Sequence, residues 1–209
     1  MSAGADLGRA VAHYRELAPF YDHCTRRINR IREEAIDALS LRPGETVLDA
    51  GCGTGWCLQL LAQRVGPSGT VIGFDPSPEM LAMARNRDVG SSLHLLQATA
   101  QDACLPLEVD AILFSYTHDV IRSREALRNL LTQARTGARV AATSTKLYAK
   151  WLFPANWYLR VTHRAYITNF EGFEAPWSVL ATMLEDFRVR TGPLTQHYVA
   201  TGRVPRQVA

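Results

Sequence analysis

An aspartate at position 49 followed by glycines at 51, 53 and 55 is the richest chemistry in this chain. The apolar run Thr46-Val47-Leu48 leads into it, and Trp56-Cys57-Leu58-Gln59-Leu60-Leu61-Ala62 leads away with the look of a helix. A strand turning through glycine into a helix builds a nucleotide site. Glycine accepts positive φ and lacks a Cβ, so a ligand can lie against the backbone and meet the free N–H groups of the helix's first turn. The spacing then selects the charge of the ligand. G-x-G-x-x-G cradles a pyrophosphate; here D-x-G-x-G-x-G puts a carboxylate where a pyrophosphate would be repelled and a cation attracted. A second acid, Asp75, ends the apolar run Thr70-Val71-Ile72-Gly73-Phe74. It stands roughly 20 residues past the turn, where such folds place an acceptor for ribose hydroxyls.

Asp49, Gly51, Gly53 and Gly55 resemble motif I of the class I S-adenosylmethionine-dependent methyltransferases. The resemblance implies that Asp49, Ala50, Gly51, Cys52, Gly53 and Gly55 surround the cofactor, with Asp49 at its methionine end. It implies Asp75 and Pro76 at the ribose, Met80 flanking the adenine, and Ser115 touching the cofactor. By the same resemblance Asp102 accepts from the adenine amino group, the Ala103 N–H donates to a ring nitrogen, and Gln101 lies beside them. The element Ala18-Pro19-Phe20-Tyr21-Asp22 is similar to one that precedes motif I in quinone-biosynthesis and phospholipid N-methyltransferases, where it closes over the cofactor. Tyr21, with Tyr14 second, is the expected aromatic face for the sulfonium; the alternative is that both tyrosines only pack a helix on the domain.

The implied reaction is direct in-line transfer of a methyl group to a nitrogen, oxygen or carbon nucleophile of a small molecule, releasing S-adenosylhomocysteine. Two other readings stand beside it: a phospholipid headgroup N-methyltransferase at a membrane surface, and a binder of the cofactor that transfers nothing. In an open α/β sheet, cofactor and acceptor meet beyond the carboxyl ends of the strands, here at Ser115-Tyr116-Thr117-His118-Asp119. His118 and Asp119 are the acid–base candidates, with Tyr21 at the same site. A base is needed only when the acceptor must lose a proton, and His118 serves equally well as a helix cap. The D/N-P-P-Y/F box and the Pro-Cys pair of base-modifying enzymes are absent from this segment, so no nucleic-acid partner is expected.

The elements that must position these residues alternate along 209 residues of which 47% are hydrophobic. This pattern predicts one domain over 1–209, α/β in class: a doubly wound, Rossmann-like, seven-stranded, mostly parallel sheet with an antiparallel closing strand. Strands are expected at Thr46–Leu48, Thr70–Phe74, Leu93–Gln97, Val109–Phe114 and Arg139–Ser144, with a closing hairpin from Phe187–Arg190 and His197–Thr201. Residues 9–39 read as two helical segments forming a lid, joined around Pro19 and Asp22, the second with Ile28, Ile31, Ala35, Ile36 and Leu39 on one face. A helix from Ser123 is expected to reach Thr136-Gly137.

Net charge is +3, too mild to imply a polyanionic partner. Cys24, Cys52, Cys57 and Cys104 form neither a metal-ligand set nor a disulfide frame, and no apolar run is long enough to span a bilayer, so a cytoplasmic location is expected. Residues 146–178 interleave aromatics with Lys146, Lys150, Arg160, His163 and Arg164. This cap reads as an acceptor pocket, a peripheral membrane contact, a subunit contact in a homodimer, or plain packing in a monomer.

Overall fold

The computed structural model describes residues 20–162, 172–192 and 194–206. Tyr14, Ala18 and Pro19 of the expected lid, and His163, Arg164, Tyr166 and Phe170 of the cap, lie outside them. The chain opens with helix α1 (Tyr21–Thr25), a 3-10 turn (Arg26–Ile28) and α2 (Asn29–Ala38). Then β1 (Thr46–Ala50), α3 (Trp56–Val65), β2 (Thr70–Asp75), α4 (Pro78–Arg85), β3 (Ser92–Gln97) and β4 (Val109–Ser115) follow. Short α5 (His118–Arg122) and α6 (Arg124–Thr132) precede β5 (Ala134–Thr145). A 3-10 turn (Lys150–Leu152), α7 (Phe153–Thr162), α8 (Ser178–Ala181), β6 (Glu185–Thr191) and β7 (His197–Arg203) complete the described chain.

The seven strands form one sheet in the order β3-β2-β1-β4-β5-β7-β6. β1 to β5 pair in parallel; β7 is antiparallel to both its neighbours and sits one place in from the edge. The central strands are apolar on both faces because helices cover both. Alternation along β1 divides the core. Leu48 and Ala50 join Ile72, Phe74, Ile112 and Phe114 against α6, while Val47 joins Val71, Ala111 and Leu113 against α2 and α3. By the same two-residue period Asp49 shares the face of Val47, under α2. The order reverses between β1 and β4, so their carboxyl ends open the crevice where ligands of such sheets bind.

Two expected boundaries move. Helix α6 begins as expected, with Ser123 Oγ accepting from Ala126 N at 3.2 Å, but it ends at Thr132 rather than at Thr136-Gly137. The Gln133 side chain explains the early stop: its amide donates to Ala103 O at 2.9 Å and its carbonyl accepts from Leu105 N at 2.7 Å. That tether turns the chain into β5, where Gly137 takes φ +76° as the register slips between the pairs Val109–Ala134 and Ala111–Arg139. Asp22 lies in the first turn of α1, and the first of the two expected lid segments falls outside the described residues.

Candidate functional site

The three glycines of the turn all adopt left-handed φ: +72° at Gly51, +54° at Gly53 and +79° at Gly55. Each meets a different neighbour. A Cβ at Gly51 would stand 2.5 Å from Thr117 Cγ2, and one at Gly55 would stand 3.0 Å from the Ala84 backbone. At Gly53 it would meet nothing within 4 Å. Two glycines therefore serve close packing and the third faces open space. Asp75 bridges the turn to the next unit, accepting from Gly53 N at 3.1 Å and from Ser77 N at 2.9 Å. Burial pushes its carboxyl up from the ordinary value, and these two bonds oppose the rise. Ser77 in turn caps α4 through Met80 N at 3.2 Å, and Met80 is buried.

Asp49 is 1% exposed and neither carboxylate oxygen has a hydrogen-bond partner. Burial pushes its pKa up to about 7, the Arg32 guanidinium opposing the rise and Asp75 adding to it. Arg32 is itself 5% exposed, with its Nε unpartnered. Its guanidinium stacks 5.5 Å from the Trp56 ring centroid and 5.6 Å from that of Tyr116. A second nitrogen makes only long contacts, 3.4 Å to Thr25 Oγ1 and 3.3 Å to Asn29 Oδ1. Two buried, opposite, under-satisfied charges are costly to keep unless something completes them. Arg32 was not among the expected site residues, although the signal was present: it falls three, four and seven places before Ala35, Ile36 and Leu39, on the apolar stripe of α2.

Beyond β4 the backbone is strained. Tyr116 holds φ +59°, a left-handed conformation costing a bulky residue on the order of 1–2 kcal/mol. Its N–H donates to Thr143 O at 2.9 Å and its hydroxyl lies 3.0 Å from His197 Nδ1. Burial holds the phenol protonated, Arg32 opposing and nearby Tyr21 reinforcing. His118 is the first residue of α5, after the cap position Thr117. Its Nδ1 lies 2.7 Å from Ser144 Oγ and its ring 5.2 Å from that of Phe173. Asp119 is exposed, whereas Ser144 is buried. Ser115 neighbours Cys57, and burial keeps the Cys52 and Cys57 thiols protonated. All four cysteines are free thiols.

On the far side of Asp75 stand the expected adenine contacts. Ala103 N–H donates to Thr99 O at 2.9 Å. Asp102 and Gln101 are exposed, and the Asp102 carboxylate accepts from Thr99 Oγ1 at 2.6 Å. The register pairs Asp75 with Gln97, and Ala98 N donates to Asp75 O at 3.3 Å. Ala98 therefore lies beside Asp75.

The start of the described chain is pinned to the turn. Asp22 accepts from Thr54 Oγ1 at 2.5 Å and pairs with Arg87, whose Nε donates to Thr54 O at 3.0 Å. This latch sets half-buried Tyr21 beside the crevice.

Residues 47–138 match the family described as "Methyltransferase domain". The fold agrees with solved methyltransferases: the N-methyltransferase NodS from Bradyrhizobium japonicum superposes with a TM-score of 0.61, at 16% identity over 86% of this chain and 98% of that one. The class I fold and the matching segment coincide with the glycine turn. The fold is the Rossmann-like fold of the class I methyltransferases. The DhpI–S-adenosylhomocysteine complex superposes on the domain with a TM-score of 0.65, at 15% identity over 99% of this chain and 100% of that one. Among curated relatives, the 2-phytyl-1,4-naphtoquinone methyltransferase of Thermosynechococcus vestitus is 33% identical over 62% of this chain and 61% of its own length. The aklanonic acid methyltransferase DauC of Streptomyces sp. is 36% identical over 48% of each. The chain thus spans about three-fifths and about half of these two relatives. Among the described residues no helix is long and apolar enough to cross a membrane.

Proposed function

We propose that this protein transfers the methyl group of S-adenosylmethionine to a small-molecule acceptor. The observation that carries the reading is the pair of unsatisfied buried charges beside the glycine turn, Asp49 and Arg32. Together they complement an α-amino acid: the carboxylate of Asp49 for its ammonium, the Arg32 guanidinium for its carboxylate. The rest of the crevice fits the remainder of that cofactor. Gly53 leaves space for the ribose, and each Asp75 oxygen, already accepting one N–H, has a lone pair left for a hydroxyl. Asp102, in the loop after β3, remains the proposed acceptor for the adenine amino group.

When bound, the cofactor supplies an electrophilic methyl on a sulfonium. The chain's own contribution is placement and exclusion of water: Tyr21 beside the crevice, Tyr116 locked by Thr143 and His197, and the Asp22 latch over Thr54. His118, held by Ser144, is the group positioned to take a proton from an acceptor that must lose one. The relatives named for a naphthoquinone and for aklanonic acid support a small organic acceptor over a macromolecule.

Calorimetric titration with S-adenosylmethionine, against a nicotinamide dinucleotide as comparator, tests the site. Selective binding of the sulfonium compound, followed by release of S-adenosylhomocysteine with an acceptor panel of phenols, amines and quinols, is the expected result. Preference for the dinucleotide overturns the reading, and binding with no turnover on any acceptor reduces the protein to a cofactor binder.

A further inference from the structure

Helix α7 is apolar on the side that faces solvent. Its inner side holds Leu159, 2% exposed, in a small cluster with Leu147 and Phe173. On the outer side Phe153, Trp157 and Val161 follow one another at four-residue spacing, in line along the helix. They are 74%, 68% and 47% exposed. Tyr158 at 67% flanks them, and Trp151 at 68% continues the face from the preceding turn. Of the eight large hydrophobics exposed among the described residues, these five fall within eleven consecutive positions. Singly exposed apolar residues are ordinary, but a contiguous patch marks an interaction surface.

The charges on this face identify its occupant. Within residues 146–162 the exposed charges are Lys150 and Arg160; Lys146 is buried, and there is no aspartate or glutamate. Lys150 and Arg160 line a groove of about 380 Å³ with Tyr148, Asn156 and Trp157, where Glu174 is the acid on the rim. A second copy docking here would set these cations against their own kind across a two-fold axis. A bilayer interface instead offers phosphates to the cations and a headgroup region in which tryptophan and tyrosine rings are at home. We propose that the α7 face docks the protein on anionic phospholipid membranes, with Trp151, Phe153, Trp157 and Val161 at the acyl boundary and Lys150 and Arg160 on headgroup phosphates. Because β5 runs straight into this segment, the docked face lies next to the carboxyl edge of the sheet that forms the candidate site.

The test is flotation of the full chain with vesicles of phosphatidylcholine alone and with about one-third phosphatidylglycerol, read also by tryptophan emission. The expected result is binding to the anionic vesicles with a blue-shifted emission, weakening steeply as salt rises. Each cation near the surface contributes about fivefold in partitioning, so Lys150→Gln with Arg160→Gln should weaken it about 25-fold. Trp157→Ala should weaken it further, and both variants should titrate with S-adenosylmethionine as the parent does, reporting an intact fold. Quenching of the parent's emission by brominated lipid chains tests insertion without any variant. No binding to anionic vesicles at low salt overturns the proposal, as does equal binding to neutral vesicles. Self-association abolished by Trp157→Ala, without vesicle binding, assigns the face to a second copy instead. Vesicle binding requires no cofactor, so its failure leaves the methyl-transfer reading untouched.

Discussion

The glycine turn after β1 and the segment after β5 lie at the same edge of one sheet, yet they leave opposite things unsatisfied. At the turn, apolar atoms are buried and backbone groups are paired, while Asp49 and Arg32 keep charged atoms without partners. Beyond β5 Lys150 and Arg160 reach solvent, and it is the large aromatics that lack cover. Under-satisfied buried charge is the more expensive of the two, because its desolvation is only partly offset by contacts. It is sustained at the turn by the packing of α2 and α3 on the sheet, which leaves Arg32 and Asp49 no room to withdraw. Exposed aromatic area costs little by comparison and is reversible on contact. The contrast separates a site for one fixed polar ligand from a surface for a less specific apolar one.

The comparison is broken most severely at Gly53. Replacing it with valine puts a β-branched side chain at φ +54° and into the open space beside Asp75. Cofactor affinity measured by calorimetry should fall by about 100-fold or more, with a loss of stability on the order of 1–2 kcal/mol from the left-handed backbone. Retained affinity would remove the ligand from that space.

Asp49→Asn comes next and cuts both ways. Affinity for S-adenosylmethionine should drop by tens of fold, whereas the ligand-free protein should become more stable above neutral pH, a gain read by denaturant midpoint. The sign follows from burial. The folded carboxyl sits near 7 against an ordinary 3.8, so between those values the folded state binds more protons than the unfolded one. This group's contribution to stability therefore declines as pH rises from about 4 to 7 and stays low above. The amide has no such decline. Because binding needs the ionised acid, cofactor affinity of the parent protein should be about tenfold weaker at pH 6 than at pH 7.5. An affinity that is flat across that range would mean Asp49 does not meet the cation.

A smaller effect is expected at His118→Ala, which should lower turnover by 10²-fold or so for an acceptor that loses a proton, with cofactor affinity held within about twofold. Loss of the acid limb of the kcat profile separates a base from a residue that only packs on Phe173 and Ser144. Smallest of all, Trp157→Ala should leave thermal stability within about 0.5 kcal/mol, as exposed positions do, and leave cofactor titration unchanged. A large destabilisation there would make the α7 face part of the core and erase the contrast.

The candidate cofactor turn was legible because its information is local. The strand–glycine–helix order, the acids Asp49 and Asp75, and the cap at Ser77 each depend on neighbours within a few positions. The parallel strands could be read from apolar runs, and the two-residue period of a strand puts Asp49 on the face of Val47. What lay across from that face could not be read, because Arg32 reaches Asp49 only once α2 has docked on the sheet. The extra length of β5 depended on the Gln133 tether to Ala103 and Leu105. The pairing of Asp75 with Gln97, which sets Ala98 beside the acid, depended on the β2–β3 register. Tyr116 gave no signal of its left-handed backbone, since only its bonds to Thr143 and His197 hold it there. The sequence by itself determined the order of elements, the glycine turn and its acids, because backbone sterics and two- or four-residue periodicities act between near neighbours. The tertiary structure alone decided which opposite charge faces Asp49 and which side of α7 is left in water, because those depend on how helices, each amphipathic on its own, settle against the sheet.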